Sequence, residues 1–365
     1  MRDSLLLIAF YELIILSGSL PVRFWGLADK NKFNDSWQVL SWVNCKSSFF
    51  ESYNTCANNY GYSLSYLLKI LGITSNAYLF LGHLNIVVVS ISLLYLIRNN
   101  NLKFFNIFTI MLVFSPPMLL LIERGNLDGI IFGSLVLALY FYRTKNFNLA
   151  FLIIMLATLF KFYPLPLLFF ISFSTNVNRK IRYIYRFLTI LVTFLLFFEV
   201  VSRNLSFPKT GTVQFGLLIW NYYLPKLVFL KFSTIYYFVS ILIFISLIIF
   251  SFHKYKEVIK VKDLEKIGSN WFFLVVFLPT YIISLNYDYR LIFFIAFIIE
   301  IYKYIDTVYR SNFKWLVLTA VWIVYPARGL EPLGDLVLEA VVCYFFVQLL
   351  LMYVQKIKFR LRIFK

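Results

Sequence analysis

The stretch FNLAFLIIMLATLFKFYPLPLLFFISF, residues 147–173, decides the fold of this chain. It carries one charged side chain, Lys161, in an otherwise apolar run. A helix that crosses a membrane needs about 20 apolar residues, so the run is too long for one straight span and short for two. Pro164 and Pro166 lie at the break, and the sequence predicts either a kinked pair of helices or a re-entrant hairpin.

The rest of the chain has the same character. Of its 365 residues, 61% are hydrophobic and 14% are charged, whereas soluble domains are about 45–50% apolar and about 25% charged. This excludes a soluble globular domain, a disordered chain and a fibrous one. The pattern predicts an all-α polytopic membrane protein, one membrane domain over residues 1–365 with about twelve transmembrane helices. The apolar runs are 5–20, 76–97, 104–122, 127–142, 147–160, 162–173, 187–201, 234–252, 271–285, 291–304, 315–326 and 334–354.

The basic residues set the predicted topology. The chain has 35 Lys and Arg against 17 Asp and Glu, a net charge of +18. Lys and Arg concentrate in the cytoplasmic loops of membrane proteins, and nearly every loop follows that rule when both termini are cytoplasmic. The basic loops then face anionic lipid headgroups, so the charge requires no nucleic-acid partner.

The first apolar run has two interpretations. It follows Arg2 and ends in small residues at 17–19, as a cleaved signal peptide does. Alternatively it is an uncleaved first helix. Glu12 lies inside the run, and because a carboxylate in lipid is costly, it favours a helix packed against the bundle.

In this topology the outer side gathers the motifs that mix acids and bases. An ionisable residue at a helix end within a bundle is costly, and it is a functional candidate for that reason. Together the motifs predict a polar cavity at the outer membrane surface. They are Asp29 and Asp35, Glu123-Arg124-Gly125-Asn126-Leu127-Asp128, Lys161-Phe162-Tyr163-Pro164, Asn286-Tyr287-Asp288-Tyr289-Arg290 and Arg328-Gly329-Leu330-Glu331.

The first outer loop, residues 21–75, is too long for a tight connection and predicts structure of its own. Asp35 can begin a short amphipathic helix that lies in the membrane interface, and its role can be no more than capping that helix. Cys45 and Cys56 in the same loop can form a disulfide outside the cytoplasm or remain two free thiols.

A second outer segment, residues 203–233, is either an interfacial helix that roofs the cavity or an ordinary amphipathic connector. In the motif at residues 286–290, Asp288 and Arg290 can form an ion pair with each other.

His83 and His253 stand in no metal-ligand spacing, and the sequence contains no P-loop and no dinucleotide fingerprint. Neither a metal site nor a nucleotide site is therefore predicted.

The central motifs also allow structural interpretations. Asn126 can cap a helix that Arg124, Asn126 and Asp128 open, with Glu123 and Arg124 as an exposed pair. Lys161 requires a carboxylate, carbonyl groups or a bound anion, unless it extends to the interface.

The order of these motifs resembles the family-87 glycosyltransferases, which are membrane-embedded GT-C enzymes, many of them bacterial mannosyltransferases. Residues 123–128, the apolar helix that follows and Lys161-Phe162-Tyr163-Pro164 are similar to the family's Arg-Gly-Gln/Asn motif, small-residue helix and Lys-x-x-Pro element. Asp35 after the first span and Asp288-Tyr289-Arg290 also fit its layout. The resemblance covers roughly residues 30–170 and 284–298. Asn126 stands where Gln is commoner, and the Cys45 and Cys56 pair is a departure.

The resemblance implies an inverting, metal-independent hexosyltransferase that takes its sugar from a polyprenyl phosphate on the outer side. Glycosyl transfer needs a carboxylate to accept the acceptor's proton, and Asp35 is the first choice for this base, with Asp29 second. The leaving phosphate needs cations, for which Lys161 is the first choice and Arg124 and Arg290 are the other candidates. The expected substrate contacts are Asn126, Asp128, Tyr163, Asp288 and Tyr289.

The expected partners are membrane lipid, the prenyl-linked sugar (mannose or another hexose or pentose) and a lipid or glycan acceptor. The expected location is the plasma (inner) membrane, with no cofactor beyond the lipid-linked donor. Two other classes fit less well. A lipid-linked saccharide flippase should show polar residues along a path open at both ends, and an O-antigen-type polymerase or ligase should carry its large outer loop in the second half of the chain. A structural scaffold leaves Lys161 unexplained.

Overall fold

The computed structural model describes residues 2–17, 33–43, 62–174, 177–202, 214–215, 242, 245–246, 249, 271–283, 286–308, 313–323, 336–345 and 347. They belong to two compact units. The first unit comprises Met1–Phe104 and Met118–Phe207, and the second comprises Phe105–Pro117 and Pro208–Lys365.

The described residues are helical apart from turns and one pair of two-residue strands, which confirms the predicted all-α class. In chain order the helices are α1 (Arg2–Ser17), α2 (Asn34–Val43), α3 (Tyr62–Ile70), α4 (Tyr78–Asn99), α5 (Ile107–Val113), α6 (Pro116–Arg124), α7 (Asp128–Arg143), α8 (Phe147–Phe160), α9 (Leu165–Ser172), α10 (Arg179–Ser202), α11 (Phe272–Ile283), α12 (Ile292–Val308), α13 (Phe313–Ile323) and α14 (Leu336–Phe345).

Among these residues, three helical segments are long and apolar enough to cross a membrane. They are Ser75–Asn99, Ile107–Arg124 and Arg179–Phe198. Shorter apolar helices are Phe147–Phe160, Phe272–Tyr281, Ile292–Tyr302 and Leu336–Phe345.

The run 147–173 forms a helical hairpin rather than a kinked pair of helices that continue in one direction. Lys161 has extended backbone after α8, and prolines occupy the start of α9, where the first N–H groups have no intrahelical partner to lose. The ring of Tyr142 in the last turn of α7 lies 5.5 Å from Phe147 at the start of α8 and 6.0 Å from Phe170 near the end of α9. The chain therefore returns along α9 to the end at which α8 began.

Two glycines one turn apart bring α7 close to α4. A Cβ atom on Gly129 would overlap the side chain of Asn85, and one on Gly133 would overlap Val88. Small residues at this spacing let apolar helices approach closely. The contact fixes the position of Asp128, the first residue of α7.

The short helix predicted after Asp35 is confirmed as α2. It packs against α3 and α4, and Val39, Leu40, Leu64, Leu68 and Leu81 form the buried cluster between these helices. The helix therefore holds its own first turn against the first unit.

The first unit has two ends of opposite character, since α7 begins at Asp128 and ends at Arg143. We call the end with Asp35, Glu123, Arg124, Asp128 and Lys161 the carboxylate end. We call the other the basic end. Its described charged side chains are Asp3, Arg98, Lys103, Arg143, Lys145, Arg179, Lys180, Arg182 and Arg186.

In the second unit α11 and α12 pack together through large aromatic side chains, including Trp271 stacked on Phe297 with ring centroids 5.8 Å apart. The indole Nε1 of Trp322 in α13 donates a hydrogen bond of 2.9 Å to the carbonyl oxygen of Met111. Strand β1 (Gln214–Phe215) pairs antiparallel with β2 (Asn286–Tyr287). These two strands were not predicted from the sequence.

Several predicted features lie outside the described residues. They are Asp29, Cys45, Cys56, Arg328, Glu331, residues 203–213 and 216–233 of the second outer segment, and most of the run 234–252.

Candidate functional site

The turn between α6 and α7 shapes the site. Helix α6 ends in a Schellman motif, in which the N–H of Gly125 bonds the carbonyl of Ile122 at 3.1 Å and the N–H of Asn126 bonds that of Leu121 at 3.3 Å. Gly125 has a φ of +56°, which a residue without Cβ adopts at little cost. The expectation that Arg124 opens a helix is therefore wrong, because Arg124 ends α6 and the glycine turns the chain before Asp128 begins α7.

The start of α2 lies directly on this turn. The N–H of Phe33 donates to the carbonyl oxygen of Glu123 at 3.0 Å, and the hydroxyl of Ser36 donates to the carbonyl oxygen of Gly125 at 2.5 Å. A Cβ on Gly125 would come within 2.8 Å of the Phe33 ring and 3.0 Å of Ser36 Oγ. The close approach of the two segments therefore requires glycine at this position.

This docking brings the Asp35 carboxylate between two side chains of the turn. Arg124 donates to Oδ1 from Nε at 2.8 Å and from Nη2 at 2.5 Å, and Asn126 Nδ2 donates to Oδ2 at 2.5 Å. Asp35 is buried, whereas the Arg124 side chain is 27% exposed. The Asp35 carboxylate thus bonds side chains of a distant segment and does more than cap its own helix.

A second buried carboxylate lies beside the first. Asp128 Oδ1 accepts hydrogen bonds from Lys161 Nζ at 2.5 Å and from the Tyr163 hydroxyl at 3.1 Å. Lys161 is 4% exposed and Asp128 is fully buried. The prediction that Lys161 needs a compensating group is confirmed, the group is a carboxylate, and the alternative in which Lys161 extends to the interface is wrong.

Asn126 links the two carboxylates. Its amide nitrogen bonds Asp35 while its Oδ1 accepts the backbone N–H of Asp128 at 2.9 Å. The N-cap position of α7 belongs to Leu127 rather than to the predicted Asn126, but the Asn126 side chain still accepts the first N–H of the helix, and its bond to Asp35 is a second role that the pattern did not indicate. We call Asp35, Arg124, Asn126, Asp128, Lys161 and Tyr163 the two-carboxylate site.

The remaining candidates lie in the second unit or outside the described residues. Arg290 lies in a short 3-10 turn, Asp288–Leu291, of the second unit. The side chains of Asp288 and Tyr289 are not among those described, and Asp29 lies outside the described residues. The site is built from the first unit alone.

Sequence reasoning missed a supporting contact behind Asp35. Glu12 bonds His83 Nδ1 at 2.9 Å, and the His83 ring meets the ring of Phe33 edge-on at 5.1 Å. Phe33 itself has a φ of +55°, a conformation that costs a residue with a side chain about 1–2 kcal/mol. The prediction that Glu12 packs α1 against the bundle is confirmed, but only the structure shows that its partner supports the residue before α2.

Chemically, the two-carboxylate site pairs two acidic side chains with two basic ones at the end of a helical unit. Among the described residues, no group of three or more His, Cys, Asp or Glu side chains could hold a metal ion. A carboxylate has about four acceptor positions, two on each oxygen. Arg124 fills both positions of Oδ1 and Asn126 fills one of Oδ2, so after its described hydrogen bonds Asp35 retains a position on Oδ2. The part-exposed Arg124 guanidinium beside it can bind an anion.

Comparison of the chain with protein-family models, with curated proteins and with solved structures finds no match. The resemblance to the family-87 glycosyltransferases therefore depends on the quoted motifs.

Proposed function

We propose that this chain is a membrane glycosyltransferase that moves a sugar from a polyprenyl phosphate to a lipid or glycan acceptor on the extracytoplasmic side. The proposal includes a GT-C-like bundle of about twelve transmembrane helices in the plasma (inner) membrane, with both termini in the cytoplasm. The observation that supports it most is the buried Asp35 carboxylate held beside the part-exposed guanidinium of Arg124. In that pair, the carboxylate can accept a proton and the guanidinium beside it can bind a phosphate.

In the proposed reaction Asp35 accepts the proton of the acceptor hydroxyl as its oxygen attacks the anomeric carbon of the donor. The bond between that carbon and the phosphate oxygen breaks, and the bond to the acceptor oxygen forms. Attack from the face opposite the phosphate inverts the anomeric configuration. A base positioned in this way contributes about 10²–10⁴ in rate.

Arg124 is our choice for the leaving phosphate. Its guanidinium can grip a phosphate through two parallel hydrogen bonds, and the charge that grows on the leaving group strengthens those bonds in the transition state. Asn126 holds the second oxygen of Asp35, so the carboxylate keeps its orientation when Arg124 turns toward the phosphate.

Lys161 was the first expectation for the phosphate, but Asp128 already neutralises its ammonium group at 2.5 Å. We therefore assign Lys161 and Tyr163 to positioning Asp128, whose carboxylate and neighbouring helix start remain candidates for contacts with the sugar. Arg290 remains a candidate for the phosphate from the second unit.

A transfer assay on the purified chain tests the proposal. A panel of polyprenyl-phosphate sugars and nucleotide sugars is offered with membrane lipid extract as the acceptor source, and both transfer and donor hydrolysis are measured. We expect turnover of at least one prenyl-linked donor, a loss of about 10²-fold or more in Asp35→Asn, and a raised KM for the donor in Arg124→Gln. Asp3→Asn, at the basic end, is the matched control and should keep native rates.

Full activity of Asp35→Asn, with thermal unfolding unchanged, would overturn the assignment of the base. Turnover of a nucleotide sugar alone would overturn the donor class. Absence of both turnover and binding for every prenyl-linked donor would favour the flippase or polymerase classes.

A further inference from the structure

The basic end of the first unit carries a surface that the proposed reaction does not use. Arg179, Arg182 and Arg186 recur at helical spacing in the first turns of α10, so they share one face of that helix. Residues 129–198 contain no aspartate or glutamate. The stretch without a carboxylate includes all of α8 and α9 and α10 up to residue 198, so none of these residues can neutralise the positive charge of this face.

Aromatic rings, rather than acids, contact Arg186, the last of the three arginines. The guanidinium of Arg186 lies 4.6 Å from the ring centre of Phe173, just after α9, and 5.6 Å from that of Tyr183. A cation over an aromatic face is attracted by the ring without losing its charge. Within the described part of the chain, the Nε atoms of Arg182 and Arg186 have no hydrogen-bond partner and neither residue forms an ion pair.

The orientation of this face is fixed by contacts of Tyr185, which lies nearly one turn after Arg182 on α10. The Tyr185 hydroxyl bonds the amide oxygen of Asn148 in α8, and the Tyr185 ring stacks on Phe151 with centroids 4.1 Å apart. Tyr185 is buried, whereas Tyr183 and Phe187 are exposed. The helix is therefore held with Arg179 exposed and with Arg182 and Arg186 half-buried.

A long apolar surface continues directly from the arginines along α10. Phe187, Ile190, Leu191, Phe194 and Leu195 are all exposed. A soluble anion would use the arginines and leave this surface uncovered, whereas a lipid supplies an anion and an acyl chain in the same molecule. Clusters of basic residues at the end of a membrane helix are suited to anionic lipid headgroups.

We propose that Arg182 and Arg186, backed by Phe173, bind the phosphate of an anionic phospholipid whose acyl chains lie along the exposed face of α10. Arg179, one turn before Arg182, adds positive charge around the headgroup without contributing the central contacts. The site is independent of the proposed glycosyl transfer, since it lies at the other end of the first unit from Asp35 and Asp128.

Native mass spectrometry of the purified full chain in detergent tests the proposal. The protein is titrated with phosphatidylglycerol, with phosphatidylcholine of the same acyl chains, and with water-soluble glycerophosphoglycerol. We expect selective retention of phosphatidylglycerol. The double variant Arg182→Gln/Arg186→Gln should weaken that binding about 30-fold, as the loss of two basic contacts near an anionic headgroup implies. Lys103→Gln/Lys145→Gln removes the same charge elsewhere at the basic end and should weaken binding far less.

A third variant, Phe173→Leu, separates a built site from general charge attraction. It keeps every charge but removes the ring under Arg186, and we expect a several-fold loss of phosphatidylglycerol binding. Equal losses in the two double variants, or no effect of Phe173→Leu, would overturn the site in favour of diffuse attraction. Equal binding of phosphatidylcholine would overturn the requirement for an anion, and binding of glycerophosphoglycerol as tight as that of the lipid would overturn the role of the acyl chains.

Discussion

The two ends of the first unit both contain lysine and arginine, but they place these side chains in opposite environments. At the carboxylate end, Lys161 is buried and Arg124 is half-buried, and each forms a direct ion pair with an aspartate. At the basic end, Arg179, Lys180 and Lys145 are exposed, and Arg186 lies against aromatic rings. A buried cation must have an acid beside it, whereas a cation at a surface can be left for water, lipid or a ligand.

This difference determines how strongly the stability of the protein depends on each charged side chain. Removing one partner from a buried ion pair leaves an uncompensated charge and costs about 3–5 kcal/mol, whereas an exposed pair contributes about 0–1 kcal/mol. Stability should therefore depend on the carboxylate end and be nearly indifferent to substitutions at the basic end.

The largest expected effect is that of Lys161→Met. It leaves the buried Asp128 without its cation, and we expect the free energy of unfolding to fall by about 3–5 kcal/mol. Lys145 is exposed at the basic end, and Lys145→Met is the matched control. We expect it to change the free energy of unfolding by less than about 0.5 kcal/mol. Unfolding by increasing SDS in mixed micelles measures both.

The double variant Lys161→Met/Asp128→Leu sharpens the same comparison. Because both charges are removed, we expect it to recover much of the stability lost in Lys161→Met. Equal stability of Lys161→Met and the native chain would contradict the contrast between the two ends.

An intermediate effect is expected for Gly125→Ala, which tests the turn under the two-carboxylate site. The left-handed conformation costs alanine about 1–2 kcal/mol, and the new methyl group would also displace Phe33 and Ser36. Gly72→Ala is the control, since Gly72 has a φ of +64° but nothing within 4 Å of the position of its Cβ. We expect Gly125→Ala to destabilise the protein by at least about 1 kcal/mol more than Gly72→Ala, and equal losses in thermal unfolding would show that α2 does not lie closely on the turn.

The smallest effect is expected for Asp3→Asn. The Asp3 side chain is 32% exposed and pairs with Arg98, which is 52% exposed, at 2.9 Å. The loss in the free energy of unfolding should be about 0–1 kcal/mol and should shrink further in high salt. A loss as large as that of Lys161→Met, measured by the same SDS titration, would remove the distinction between the ends.

Much of the local structure could be predicted from the sequence. The break at Lys161 and the helix after Phe33 follow from hydrophobic runs, prolines and capping residues, which are local signals. The need of Lys161 for a compensating group follows from the cost of a charge among apolar helices. Its partner could not be chosen, because Asp128 is 33 positions away and several outer acids were equally available.

The features that escaped prediction depend on contacts between distant segments. Ser36 reaches the carbonyl of Gly125 across 89 positions, and no periodicity encodes such a contact. Gly125 could have been recognised as a helix stop, but its fit against Phe33 is visible only in three dimensions. The strands β1 and β2 have two residues each, too few for the alternation that marks a strand.

The pairing of Lys161 with Asp128 also bears on how the chain is made. A ribosome synthesises α7 before α8, so the carboxylate emerges 33 residues ahead of the ammonium group. Lys161 can lie among apolar helices at low cost only when its charge is neutralised, so the hairpin of α8 and α9 depends on α7 to supply Asp128. One ion pair thus makes three helices depend on one another, and the chain can form that pair only after residue 161 has been synthesised.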